Sequence, residues 1–134
     1  MKVVLQTDGG ARGNPGPAGL GFVIKQNDKI LFAQGKYLGE TTNNQAEYQA
    51  LIAALTKAKE LGAAEVLCLM DSELIVKQMQ LKYKVKNAGL APLFMKAWKL
   101  AHEFQICTFK HVPRERNHEA DALVNMAIDT RGVV

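Results

Sequence analysis

The chain has 134 residues, 48% of them hydrophobic and 22% charged, with a formal net charge of +4. That is the composition of one globular domain, expected to span residues 1–134 and to bury roughly two thirds of its unfolded surface. No apolar run approaches the roughly 18 residues of a membrane span, and MKVVLQTDGG turns polar too soon for a secretory signal, so a cytosolic chain with no membrane partner is expected.

KVVLQT, residues 2–7, predicts a buried first strand closed by Asp8. The stretch TDGGARGNPGPAG that follows holds five glycines and two prolines, the composition of a tight turn or a close backbone approach. GLGFVIKQ and KILFAQGKYLG predict two further strands joined by a QND hairpin, completing an antiparallel meander. Asn43 or Asn44 opens a helix that runs to about Leu61, where Gly62 supplies the stop. EVLCLM is a continuous apolar run, the mark of a strand covered on both faces. A short helix is expected from Ser72 to about Gln80, and a second helix over APLFMKAWKLAHEF. QICTFKHV predicts the fifth strand and NHEADALVNMAID the last helix. Strands alternating with helices in the second half imply parallel pairing. The expected fold is therefore α/β, a mixed five-stranded sheet flanked by helices.

Cys68 and Cys107 each lie in a strand-like segment without a CxxC pattern, so both are expected as buried free thiols. Between Lys77 and Lys99 the chain carries six lysines and no Asp or Glu, which leaves the remainder net acidic. That asymmetry fits either a solvated lysine face or the docking of a polyanion.

Four carboxylates stand at telling places. Asp8 ends the first strand, and taken alone it is a turn aspartate. Glu47 leads the stripe Ala50, Leu51, Ala54, Leu55 and Ala58, which turns it toward the sheet. Its plainer alternative is a capping box with Asn44. Asp71 ends the fourth strand and, like Ser72, is a candidate helix cap. Asp121 sits in the first turn of the last helix, where it also suits the helix dipole. In an α/β sheet such positions gather along one crevice. Four negative charges there require divalent cations, and oxygen ligands select Mg²⁺ or Mn²⁺ over zinc. Two such ions would serve phosphodiester hydrolysis, with nucleic acid as the partner of the lysines.

Four motifs, TDGGARGNPGPAG, TTNNQAEYQAL, MDSELIVKQ and RERNHEADALVNMA, resemble the ribonuclease HI family over nearly the whole chain. The resemblance implies the ribonuclease H-like fold, with three antiparallel strands and then two parallel ones. It implies an endoribonuclease that cuts the RNA strand of RNA–DNA hybrids and leaves 5′-phosphate and 3′-hydroxyl ends, while a monomer is the expectation for a single compact domain. It assigns Asp8, Glu47, Asp71 and Asp121 to two Mg²⁺ ions, with Mn²⁺ as a substitute. Gly13, Asn14, Asn43, Asn44 and Ser72 fall on hybrid-contacting positions, and the glycines are expected to let the backbone approach the RNA strand. Gln78 and Glu73 are expected to face outward on the second helix.

Three departures from the family stand out. The basic insertion of many members is absent, and Lys82, Lys84 and Lys86 are the expected partial substitute. The histidine that many members place before the last aspartate is missing; Arg114 is the first candidate to replace it and His118 the second, while His102 and His111 read as structural. No separate hybrid-binding module is expected. Two other classes remain open: a nucleic-acid-binding module without catalysis, and a nuclease for another duplex such as double-stranded RNA.

Overall fold

A computed structural model describes residues 1–134. Its elements are β1 (Lys2–Ala11), β2 (Gly16–Gln26), β3 (Lys29–Thr41), α1 (Asn43–Glu60), β4 (Glu65–Met70), α2 (Glu73–Met79), α3 (Ala91–Ala101), β5 (Ile106–His111) and α4 (His118–Thr130). A 3₁₀ turn at Arg114–Asn117 leads into α4. The five strands form one sheet in the order β3-β2-β1-β4-β5. β1 pairs antiparallel with β2, and β2 with β3, while β4 runs parallel to both β1 and β5. The mixed sheet expected from the sequence is present, element for element.

Alternation along the strands divides the sheet between two layers of helix. Leu20, Phe22 and Ile24 of β2 join Val3, Leu5, Val66 and Cys68 in a core that Tyr48, Leu51 and Leu55 of α1 complete. The intervening Gly19 and Gly21 of β2 face α4 and present no side chain there. A Cβ on Gly21 would meet the Ala120 carbonyl oxygen and the Leu123 Cβ, so α4 lies directly on the strand backbone. α3 packs on α1, and α2 leans on β5.

Several expectations are corrected by the structure. Asp8 does not close β1, which continues to Ala11 because its pairing with β2 runs on through Ala11 and Ala18. α1 is capped by Thr42, not by either asparagine. The Thr42 hydroxyl accepts from the Gln45 amide at 3.2 Å, and the Gln45 side chain reaches back to the Thr42 amide at 3.4 Å. Glu47 thus takes no part in a capping box. Ser72, and not Asp71, caps α2, accepting from the Ile75 amide at 3.3 Å. Gln78 faces inward: it is buried and accepts a 2.6 Å hydrogen bond from the Tyr48 hydroxyl, pinning α2 to α1. Glu73 does face water, paired with Lys77. Cys68 is buried and free, but Cys107 is free and only half-buried, since β5 is the sheet edge.

Candidate active site

The site begins where two neighbouring strands stop matching. β1 pairs with β4 only as far as Thr7 and Met70, while on its other side it continues to pair with β2. Asp8 is the first residue past the end of the parallel ladder, and Asp71 immediately follows Met70. A crevice must open at that point, beyond the carboxyl ends of parallel strands.

Two close approaches bring the helices into the crevice. A Cβ on Gly9 would overlap the backbone of Ala46 and Glu47, so only glycine lets the first turns of α1 sit against β1. On the opposite face Gly21, the cross-strand partner of Asp8, admits α4 at Ala120 and thereby delivers Asp121. The glycines of the opening motif serve packing first. Gly13, with φ near +96°, makes the turn itself, and the Asn14–Pro15 peptide within that turn is cis.

The carboxylate oxygens of Asp8, Glu47 and Asp71 lie within 4.8 Å of one another. Asp8 and Glu47 are each only 7% exposed. Burial, and then the charge of Asp71, push the Asp8 carboxyl up from its ordinary value to about 7. Glu47 is likewise raised well above its ordinary value, by burial and by the charges of Asp8 and Asp71, with only the Gly9 amide favouring its ionised form. Its Oε2 is buried and has no hydrogen-bond partner. Asp71 is raised by burial, an effect opposed by the charge of Arg114. Such crowding of like charges, with a buried oxygen left unpartnered, is unfavourable without cations. All the donors are hard oxygens, so the set fits Mg²⁺ or Mn²⁺.

Asp121 lines the same groove but stands outside that tight trio. Arg114 reaches it, with Nη2 at 3.5 Å from Asp121 Oδ1. Asn43, Asn44 and Ser72 also line the groove. Asn43 is tied on two sides: its Oδ1 accepts from the Ala11 amide at 2.7 Å, and its amide donates to Asn14 Oδ1 at 3.0 Å. Asn14 itself lines a smaller polar hollow next door, with Thr42, Asn44, Gln45 and Asn87. Gly13 lines neither recess. Lys82, Lys84 and Lys86 are exposed on the α2–α3 connection and do not line the groove. His118 is exposed at the start of α4, and His111 donates through Nε2 to the Asp71 carbonyl at 3.2 Å. His102 stacks on Trp98, away from the groove.

Sequence reasoning missed two residues here. Asn117, 1% exposed, donates to the Thr7 carbonyl at 2.7 Å and also favours ionised Asp71. It reads as a helix opener in the sequence, yet it makes no cap hydrogen bond. Arg12 lines the groove from the β1–β2 turn. Its position between glycines gave no sign of a partner on α4.

The family model described as "Reverse transcriptase-like" matches residues 6–127. The structure is similar to RNase H1 from the halophilic archaeon Halobacterium salinarum, with 40% identity, a TM-score of 0.94, and 97% of this chain and 99% of that one covered. The chain belongs to the ribonuclease H family. It is also similar to LC11-RNase H1 in complex with an RNA/DNA hybrid, at 49% identity and a TM-score of 0.92, covering 96% of this chain and 98% of that one. Among sequences, the bifunctional protein Rv2228c of Mycobacterium tuberculosis is 48% identical over 131 residues. This ribonuclease H chain covers 36% of that relative's length, the match including 96% of its own.

Proposed function

We propose that the chain is an endoribonuclease that hydrolyses the RNA strand of RNA–DNA hybrids at the crevice between β1 and β4. The observation that carries this reading is the buried trio Asp8, Glu47 and Asp71, whose oxygens converge within 4.8 Å in an open groove. The hybrid-bound relative supports the choice of substrate.

In this reading Asp8, Glu47, Asp71 and Asp121 hold two Mg²⁺ ions, with Mn²⁺ as the substitute. Bound there, the ions would supply the positive charge that stabilises both the attacking water and the leaving oxygen. The protein's own part is placement. The end of the β1–β4 ladder fixes Asp8 and Asp71, while the glycine contacts fix Glu47 and Asp121. Asn43 and Asn44 face the strand whose phosphate sits over the carboxylates, next to Ser72, with Gly13 and Asn14 flanking. Arg114 takes the place of the family's loop histidine. A guanidinium stays protonated, so it acts as a fixed charge on phosphate or product and does not shuttle protons. Hydrolysis leaves a 5′-phosphate and a 3′-hydroxyl. Lys82, Lys84 and Lys86 act on the hybrid's backbone at a distance from the chemistry.

The test is cleavage of a strand-labelled hybrid with and without Mg²⁺ or Mn²⁺, beside RNA–RNA and DNA–DNA duplexes. Metal-dependent cutting of the hybrid's RNA strand alone is expected. Binding without cutting under every metal would make the chain a nucleic-acid-binding module, and equal cutting of double-stranded RNA would overturn the hybrid preference.

A further inference from the structure

Arg12 and Arg114 are the two cations among the residues that line the carboxylate groove, and they are anchored differently. Arg114 leans on Asp121, a member of the site. Arg12 is drawn outward: its Nη1 donates to Asp129 Oδ1 at 2.6 Å, and its Nη2 lies 3.3 Å from Asn125 Oδ1. Asp129 is not part of the groove wall. Both side chains of the ion pair are open to water, 48% exposed for Arg12 and 62% for Asp129.

A pair so exposed contributes little to stability. Nor is it needed to shape the turn. The Arg12 amide already donates to the Pro17 carbonyl at 2.8 Å, and the Ala11 amide to Asn43 at 2.7 Å. What the pair does is hold a guanidinium at the wall of an acidic groove, with a counter-ion that water can readily replace. A guanidinium matches the two free oxygens of a phosphodiester as well as it matches a carboxylate. α4 offers the groove no lysine or arginine between His118 and Thr130.

We infer that Arg12 is a contact for the phosphodiester backbone of the strand lying in the groove, and that Asp129 is the counter-ion it releases when that strand binds. The inference rests on the groove being a nucleic-acid site. In the free protein Asp129 holds the guanidinium in place. In the complex a phosphate takes its position, Asp129 returns to water, and cations condensed on the nucleic acid are released. Arg12 is thus a binding residue, and Asp129 weakens binding.

Steady-state cleavage of an RNA–DNA hybrid in Mg²⁺ over a range of salt concentrations tests this, with Arg12→Ala, Arg12→Lys and Asp129→Asn beside the wild type. Arg12→Ala should raise KM about three- to ten-fold and flatten the salt dependence by about one phosphate contact. Arg12→Lys should recover part of that loss, because charge remains without the planar fork. Asp129→Asn should move KM the other way, lowering it about two- to five-fold as Arg12 is freed. A purely structural clasp would make Arg12→Ala and Asp129→Asn shift KM in the same direction. That result overturns the inference, as does wild-type KM in all three variants, and either would leave the hybrid-cutting reading standing. A wild-type chain that neither binds nor cuts hybrid overturns both.

Discussion

The carboxylate groove and the lysine-bearing connection between α2 and α3 are both dense in charge, and they are built in opposite ways. In the groove, Asp8 and Glu47 are nearly buried, and two helices are set on strand backbone at Gly9 and Gly21. In the connection, Lys82, Lys84 and Lys86 are exposed, and none of the three forms an ion pair. In the proposed function the two sets of charge would have different tasks, and the difference in their construction follows from that. Stabilising charge that develops along a reaction demands fixed positions and low dielectric, and raised carboxyl pKa values are the accompanying strain. Attracting a polyanion needs only net charge at the surface, so the side chains can stay mobile and solvated.

The largest effect expected from breaking the groove is on cleavage. Asp71→Asn should lower kcat on a hybrid by about a thousand-fold or more, the scale of losing a preorganised electrostatic group. The same variant should keep its circular dichroism spectrum and unfold at the same or a higher temperature without metal, since it removes one of the repelling charges. Wild-type cleavage by Asp71→Asn would dissolve the comparison. Gly9→Ala tests the packing beneath it. The added methyl meets the Ala46 backbone, so a loss of roughly 1–3 kcal/mol is expected in a denaturant titration, with activity reduced even where the chain stays folded.

A third expectation concerns pH. Asp8 titrates near 7 when folded, against an ordinary value of 3.8. Between those values the folded chain holds a proton that the unfolded chain releases, so stability falls as pH rises through that window. Melting the metal-free protein from pH 4 to pH 8 should show that decline, on the order of 4 kcal/mol. Asp8→Asn should lessen it, leaving the share of Glu47 and Asp71, whose carboxyls are also raised; an equally steep limb in that variant would assign the whole decline elsewhere. The smallest effect belongs to the connection. Replacing Lys82, Lys84 and Lys86 together by alanine should raise KM about ten-fold at low salt and reduce the slope of log KM against log salt by about two. An unchanged slope would mean that these lysines do not meet the substrate.

Much of this was legible in the sequence for a reason visible in particular residues. The stripe from Glu47 through Ala58 has one helical period, and it is buried as that period requires. The antiparallel meander and the parallel pairing of the later strands followed from the hairpin chemistry and from the alternation of strand and helix, whereas the place of β1 at the centre of the sheet did not. Less legible was anything that depends on a partner far along the chain. Gln78 was expected at the surface, but its amide meets Tyr48 in the interior. Asn117 looked like a helix opener, and its side chain is held by the Thr7 carbonyl of a strand 110 positions away. The cap of α1 fell on Thr42, ahead of the two asparagines expected, and that of α2 on Ser72, one of its two candidates, because several adjacent polar side chains could each fill the role and only the local backbone angles choose among them.

By itself the sequence determined the mixed sheet with its flanking helices and marked four carboxylates as candidates for one crevice, because periodicity, turn chemistry and motif order are local properties of the chain. Only the tertiary structure decided that Glu47 faces Asp8 and is free of any cap, that Asp121 meets Asp8 from outside the tight trio, and that Arg12 is held by Asp129. Those facts depend on where β1 parts from β4 and on which backbones can touch, and such contacts join residues with no fixed spacing between them.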